Sequence, residues 1–228
     1  MISFRVFGCV IELRFLFVAL VTLAVLLDTS SYMRSTLLAA VVHECGHLLV
    51  LAGYHALPRK IRFGILNIDM IDPQKENRGY KRDIVVLLAG AGMNLLAGGF
   101  LLGGAFLLKS QWMLFYAYAN LLTGFFNLLP IDPLDGGQIV YAFLCQKLPE
   151  EKANGWVEVI SFVALTPVAL AGFLLLLRSA YNFSLLLTSC YLMAALLLKR
   201  RPGRENAFPN MEHKAQAKDG LKKYKRTD

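Results

Sequence analysis

Hydrophobic positions along the chain fall into long stretches, with polar residues gathered in short segments between them. A helix needs about 20 apolar residues to cross the hydrocarbon of a bilayer, and six stretches approach or exceed that length. They cover residues 9–27, 35–57, 83–108, 112–130, 156–177 and 181–198. The pattern predicts an all-α polytopic membrane protein with about six transmembrane helices.

The longest internal polar segment, residues 58–82, contains RKIRFGILNIDMID. Within it, Ile61, Phe63 and Ile65 partly alternate with polar or small residues, which is typical of a strand. The pattern is compatible with a short β-hairpin, whose exposed edge can pair with an extended substrate segment. A simple connector with an incidental pattern is the alternative.

The composition supports the membrane class. Hydrophobic residues make up 56% of the 228 positions and charged residues only 18%, whereas soluble globular domains have roughly 25% charged residues. The first stretch is followed by no small-residue cleavage site of the A-x-A kind, so we interpret it as a retained span rather than a signal peptide.

The distribution of positive charge predicts an orientation. With a cytoplasmic N-terminus, 21 of the 24 Lys and Arg residues fall on the cytoplasmic side, as the positive-inside rule requires. The chain is therefore expected to lie in a cell membrane as a multi-pass protein with both termini cytoplasmic.

Two units are expected along the chain: a membrane-embedded domain, residues 1–198, and a basic cytoplasmic tail, residues 199–228. The tail carries +6 of the net charge of +8. We expect it to be disordered and attracted to anionic lipid. Its two aromatic residues, Phe208 and Tyr224, are too few for the aromatic interleaving that is typical of nucleic-acid binding, so no nucleic-acid partner is expected.

Within the second stretch, residues 43–47 read HECGH. On a helix, residues i and i+4 share one face, so His43 and His47 can bind one metal ion together. Zinc in catalytic sites takes three protein ligands and leaves one position for water, and Glu44 can act as the general base. Such spacing can occur by chance on a wet helix, but ionisable residues inside a span are costly and by default mark a functional site.

The third ligand is expected from NLLPIDPLDGG, residues 127–137, which offers Asp132 and Asp135 in an apolar run. Its prolines and glycines break the helix, and irregular backbone at membrane depth is tolerated where it is buried in protein or lines a cavity. Counted from the cytoplasmic ends of their stretches, His47, Asp135 and Asn94 lie at similar depth. The sequence therefore predicts a site toward the cytoplasmic side.

Two asparagines are further candidates. Asn94 lies in GAGMNLLAGG, whose small residues allow close helix packing, so either packing or a role in the site explains it. The side-chain amide of Asn127 can hydrogen-bond an exposed substrate backbone or a developing oxyanion.

Together, HECGH and NLLPIDPLDGG resemble the site-2 protease family of intramembrane zinc metalloproteases. The second motif of that family reads N-x-x-P-x-x-x-x-D-G, and Asn127, Pro130, Asp135 and Gly136 match it. The resemblance implies a catalytic core built from the second to fourth spans.

The resemblance also assigns roles to individual residues. It implies that His43, His47 and Asp135 bind one zinc ion per chain, that Glu44 is the catalytic base, and that Asp132 is not a ligand. Contacts with the substrate are expected from Asn127, Pro130 and Asn94.

The run FFNLLPIDPLDGGQIV is most similar to the sporulation branch of the family, the stage IV factor B type. That resemblance implies a metalloendopeptidase of a bacterial cell membrane that cleaves in or near a transmembrane segment of a membrane-bound substrate, such as a pro-sigma factor or an anti-sigma factor. It further implies an inhibitory membrane partner. A metal transporter or a non-proteolytic zinc-binding membrane protein is the alternative, although transport needs no base such as Glu44.

Overall fold

The computed structural model of the chain describes residues 2–6, 9–13, 15–28, 32–58, 60–63, 68–71, 79–178 and 184–198. These residues are mostly helical. The helices are α1 (Phe15–Leu27), α2 (Tyr32–Gly53), α3 (Tyr80–Leu108), α4 (Gln111–Asn127), α5 (Asp135–Leu144), α6 (Glu150–Arg178) and α7 (Ser184–Leu198). The strands are β1 (Ile2–Val6), β2 (Cys9–Leu13), β3 (Lys60–Phe63) and β4 (Ile68–Ile71).

Three helices, α2, α3 and α6, are long and apolar enough to cross a membrane. The prediction of a mostly helical, membrane-embedded protein is confirmed. The apolar helices α4 and α7 are shorter, with 17 and 15 residues, so the count of six spans stays a prediction. The predicted tail, residues 199–228, lies outside the described residues.

The first apolar stretch differs from its prediction as a single helix. Cys9–Leu13 forms β2, and α1 has only 13 residues, about 20 Å at helical rise. Strand pairing explains the difference: Glu12 is buried, and its carboxylate lies 2.6 Å from the Lys60 ammonium of β3. This ion pair compensates a charge that would be costly if it were buried alone.

The four strands form one sheet in the order β1-β2-β3-β4. β2 pairs with β1 in antiparallel and with β3 in parallel orientation. β3 and β4, both within the 58–82 segment, pair antiparallel, with Ile61 opposite Met70. Within the described part of the chain, β4 therefore lies at one edge of the sheet.

Helices α2, α3 and α4 pack through small residues. Ala39, Ala91 and Ala117, one from each helix, are completely buried. A Cβ atom on Gly46 of α2 would lie 2.9 Å from the Cα atom of Gly90 on α3, closer than packed side chains allow. The backbones of α2 and α3 thus approach each other as closely as small residues permit.

Larger apolar side chains form the core between α6, α7 and the segment that precedes α5. Leu165 of α6 packs with Leu192 and Leu196 of α7, and this cluster encloses Ile131 from the irregular segment 128–134. That segment in turn lies against the start of α5, where a Cβ atom on Gly137 would be 2.5 Å from the Ile131 carbonyl carbon. The packing fixes where α5 begins, and its first residue is Asp135.

Candidate metal centre

The two histidines of α2 lie on its buried face, four residues apart. His43 and His47 are each less than one-tenth exposed, and their Nε2 atoms are 3.1 Å apart. The 3.6-residue helical repeat produces this pairing, because it stacks positions i and i+4 on one face. The two imidazoles can therefore offer two nitrogens to one ion.

A carboxylate oxygen completes the group. Asp135 Oδ2 lies 2.9 Å from His43 Nε2 and 3.3 Å from His47 Nε2. Among the described residues, His43, His47 and Asp135 form a group that could hold a metal ion. Asp132, the other carboxylate considered from the sequence, is not part of it.

The three donor atoms have the spacing that a tetrahedral ion requires. Bonds of 2.0–2.1 Å to such an ion place neighbouring donors about 3.3 Å apart, and the three separations are 2.9, 3.1 and 3.3 Å. Neutral imidazole nitrogens and a carboxylate oxygen all present lone pairs, which repel unless a proton or a cation lies among them. The donor set therefore fits zinc, with one of four positions left for another ligand.

A backbone carbonyl of α3 orients one of the histidines. His47 Nδ1 lies 2.8 Å from the Val86 carbonyl oxygen, which accepts the Nδ1–H hydrogen bond. This bond fixes the tautomer that leaves Nε2 unprotonated and able to bind metal.

Gly90 of α3 lies directly against both imidazole rings. A Cβ atom there would be 2.5 Å from His47 Cε1 and Nε2, and 2.9 Å from His43 Cε1. Only glycine allows the α3 backbone to approach the two rings this closely without displacing them.

Glu44 follows His43 directly and is only partly buried. It does not belong to the group of converging donor atoms among the described residues. Its expected role as a general base stays a prediction.

Parts of the chain are similar in sequence or in fold to known peptidases. Residues 108–168 match the model of Peptidase family M50. The chain superposes on the site-2 protease from Methanocaldococcus jannaschii with a TM-score of 0.57 and 23% identity, covering 88% of this chain and 95% of that one. The resemblance to the site-2 protease family is confirmed.

A curated relative agrees with this family. The chain is 26% identical over 120 residues to the stage IV sporulation protein FB of Bacillus subtilis (strain 168). The match covers 52% of this chain but only 42% of that protein, so the chain spans less than half the length of the relative. The M50 segment contains Asp135, whereas the HECGH motif lies before it.

The site-2 protease motif N-x-x-P-x-x-x-x-D-G extends from the end of α4 to the start of α5. Asn127 is the last residue of α4, and its amide N–H donates to the Thr123 carbonyl of the same helix at 3.0 Å. Pro130 is partly buried in segment 128–134. Neither residue belongs to the group of metal-binding atoms, and their expected contact with the substrate stays a prediction.

Asn94, the third residue expected to contact the substrate, is completely buried in α3. Its expected contact with the substrate stays a prediction. Asn94 lies one helical turn beyond Gly90, close to the depth predicted from the sequence but not within the metal group.

Two features of this site were missed by sequence reasoning. The Val86 carbonyl is a backbone group, so no residue type signals its role. Ser161 of α6 is completely buried, and its Oγ accepts the Asp132 backbone N–H at 2.9 Å. A lone hydroxyl in the apolar run VISFVAL was a signal for this second contact.

Proposed function

We propose that the chain is an intramembrane zinc metalloprotease that hydrolyses a peptide bond in or near a transmembrane segment of a membrane-bound substrate. The observation that carries this proposal is the convergence of the His43, His47 and Asp135 donor atoms. Both histidines lie on α2, a helix apolar enough to cross a membrane, and Glu44 follows His43 in that helix. The match to Peptidase family M50 supports the reaction type.

The metal-binding residues and Glu44 have different roles in the proposed hydrolysis. His43, His47 and Asp135 would hold the zinc ion, which when bound would supply Lewis-acid polarisation of a peptide carbonyl and of a water molecule. Glu44 accepts a proton from the attacking water and passes it to the leaving amine. Its carboxylate is then ionised again, as it was at the start. The products are one new carboxyl terminus and one new amino terminus.

Asn127 and Pro130 flank the reacting centre in this proposal. Only one N–H of the Asn127 amide is used within α4, so a second remains to donate to the substrate backbone or to a developing oxyanion. Pro130 belongs to the segment that leads to Asp135, where it faces the path of the substrate.

The substrate must present an extended backbone, because a helix hides its carbonyls in its own hydrogen bonds. We propose that β4 pairs with the unwound segment by strand addition, a role supported by its place at the edge of the described sheet. Proline at Ile65 and Ile68 should slow cleavage, since proline removes a backbone donor. Unchanged cleavage by a variant carrying both prolines would remove this role from the hairpin.

We further propose that the substrate is a regulatory precursor of the pro-sigma or anti-sigma class, and that the protein works in sporulation. The support is the similarity to a stage IV sporulation protein. An inhibitory membrane partner and anionic lipid at the basic tail complete the proposed partners, with no nucleic acid among them.

The proposed location is a bacterial cell membrane. The distribution of Lys and Arg supports a multi-pass chain with both termini cytoplasmic and with the metal group nearer the cytoplasmic side. Water would then reach Glu44 from the cytoplasm.

The first experiment compares wild type with Glu44→Gln in host membranes, using mass spectrometry to map new peptide termini in all membrane proteins. We expect termini within an apolar span only with the wild type. Glu151→Gln, which alters an exposed carboxylate of α6, is the matched control and should behave as wild type.

The same comparison separates proteolysis from metal transport. A Glu44→Gln protein that binds zinc as wild type does, with no difference in any peptide terminus, would contradict proteolysis. It would favour transport or zinc binding, neither of which needs a base.

A further inference from the structure

The two histidines of the metal group differ in what their second ring nitrogens contact. His47 Nδ1 bonds to the Val86 carbonyl, whereas His43 Nδ1 is buried with no hydrogen-bond partner among the described residues. A histidine that binds metal almost always donates its other ring N–H to an oxygen acceptor, which fixes its tautomer and orientation. His43 therefore needs an acceptor that the described hydrogen bonds do not supply.

The buried side chain of Asn94 also lacks hydrogen-bond partners. It is completely buried in α3, and both its amide oxygen and its amide nitrogen have no hydrogen-bond partner within the described part of the chain. A buried amide without partners is costly in any protein, and more so at membrane depth, where lipid offers none. Such a group is expected to have a polar partner close by.

The helical repeat of α3 places Asn94 one turn from the residue that lies against His43. This residue is Gly90, where a Cβ atom would be 2.9 Å from His43 Cε1, the ring carbon between Nδ1 and Nε2. Helical side chains lean toward the preceding turn, so that of Asn94 leans toward Gly90. Cβ positions of residues i and i+4 lie about 6 Å apart, a separation that one bridging water molecule can span.

We propose that Asn94 positions His43 through one buried water molecule, which accepts the His43 Nδ1–H and donates to Asn94 Oδ1. Buried waters commonly link polar groups in this way. The bridge would hold the His43 tautomer whose Nε2 is unprotonated, as the Val86 carbonyl does for His47. Asn94 is then a positioning residue rather than a contact for the substrate, and this inference rests on the proposed zinc site.

Asn120 of α4 provides a matched control for Asn94. It is also buried and also has an amide oxygen without a partner among the described residues. Its amide nitrogen, however, donates to the Tyr116 carbonyl at 2.9 Å, on the turn farther from the Asp135 end of the bundle. Asn120 therefore shares the burial and chemistry of Asn94 but leans away from the metal group.

The test measures the zinc affinity of the purified full-length chain in lipid nanodiscs by competition with a chelator, for wild type, Asn94→Leu and Asn120→Leu. We expect Asn94→Leu to weaken zinc binding by about 10- to 100-fold, as loss of an outer hydrogen bond to a ligand does. Asn120→Leu should stay within about twofold of wild type. Asn94→Asp keeps an acceptor oxygen and should restore most of the affinity.

Thermal unfolding of the metal-free proteins provides a second measurement. Both leucine variants remove at least one buried amide atom that has no partner among the described residues and keep a similar volume, so neither should unfold below the wild-type temperature. A residue with only a packing role would change unfolding and zinc affinity together. If Asn94→Leu does not fold, Asn94→Ala and Asn120→Ala replace the pair, with the same difference in affinity expected.

Equal zinc affinity in wild type and Asn94→Leu would overturn the proposal, as would equal weakening in the Asn94 and Asn120 variants. A wild-type chain that binds no zinc would instead overturn the proposed function, and this inference with it. A chain that binds zinc with the expected difference between variants but cleaves nothing would leave the inference standing and remove the protease assignment.

Discussion

The two sides of the metal group are held in different ways. On the histidine side, α2 and α3 meet through glycine and alanine, and the α3 backbone itself touches the rings at Gly90. On the aspartate side, segment 128–134 is held by large side chains around Ile131 and by the Ser161 hydroxyl. A backbone atom in contact with a ring cannot move aside, whereas packed side chains can shift to new rotamers. Substitutions on the histidine side should therefore reduce activity and zinc affinity more than substitutions on the aspartate side.

The largest effect is expected from Gly90→Ala on the histidine side. The added Cβ atom would lie 2.5 Å from two atoms of the His47 ring, so the ring must move away from the shared ion. Because misplacing a reacting group by about 1 Å can cost about 100-fold, we expect cleavage to fall at least that much and zinc affinity to fall with it. Peptide-terminus mapping and chelator competition measure the two.

Gly92→Ala is the matched control for this prediction. Among the described residues, no heavy atom outside the neighbouring backbone of α3 lies within 4 Å of the Cβ position on Gly92, and alanine favours a helix over glycine by up to about 1 kcal/mol. We expect full activity and slightly higher stability. Similar loss in both variants would mean that α3 tolerates no change of helix propensity and that the ring contact is not the cause.

A graded effect is expected from Ile131→Ala on the aspartate side. Removing this completely buried side chain should cost about 2–5 kcal/mol of unfolding free energy, and looser packing before Asp135 should weaken zinc binding by about 10-fold. Thermal unfolding and chelator competition measure both. Leu170→Ala is the control: it truncates an exposed side chain of α6 and should change neither the unfolding free energy nor the zinc affinity. An Ile131→Ala protein with wild-type zinc affinity would show that the position of Asp135 does not depend on this packing.

The smallest effect is expected from Ser161→Ala, which removes the acceptor of the Asp132 backbone N–H. Losing a buried hydrogen bond costs about 1–3 kcal/mol, and we expect zinc affinity to fall only a few-fold. Ser189→Ala is the control, since this buried hydroxyl bonds within its own helix to the Leu186 carbonyl. If Ser189→Ala lowers zinc affinity as much as Ser161→Ala does, the link from α6 to the Asp135 segment has no special role.

The sequence predicted the ligands on both sides but not what supports them. His43 and His47 follow from a local rule, the i and i+4 spacing on one helix. The residues of segment 127–137 left Asp132 and Asp135 both open, and the family resemblance favoured Asp135. The Val86 carbonyl and the Ser161 hydroxyl act across contacts between distant segments. Such contacts depend on how helices pack, which short-range patterns do not specify.

The N-terminal region shows the same limit for the fold. An apolar run such as residues 9–13 is compatible with either a strand or a buried helix on periodicity alone. The charged Glu12 within that run was the sequence feature that argued against a membrane span. Its partner, Lys60, lies beyond α2, so pairing with a remote strand decides the structure.

If zinc binds as proposed, the position of Asp135 opposite the histidines would also affect the lifetime of the protein. An ion shared by these residues would close a loop of roughly 90 residues. Without the ion the loop is not closed, and the greater conformational entropy of the unfolded chain favours unfolding. Since metal binding contributes directly to folding free energy, zinc supply would control how long the chain resists degradation. In a zinc-starved cell, the amount of protein should fall before its activity per molecule does.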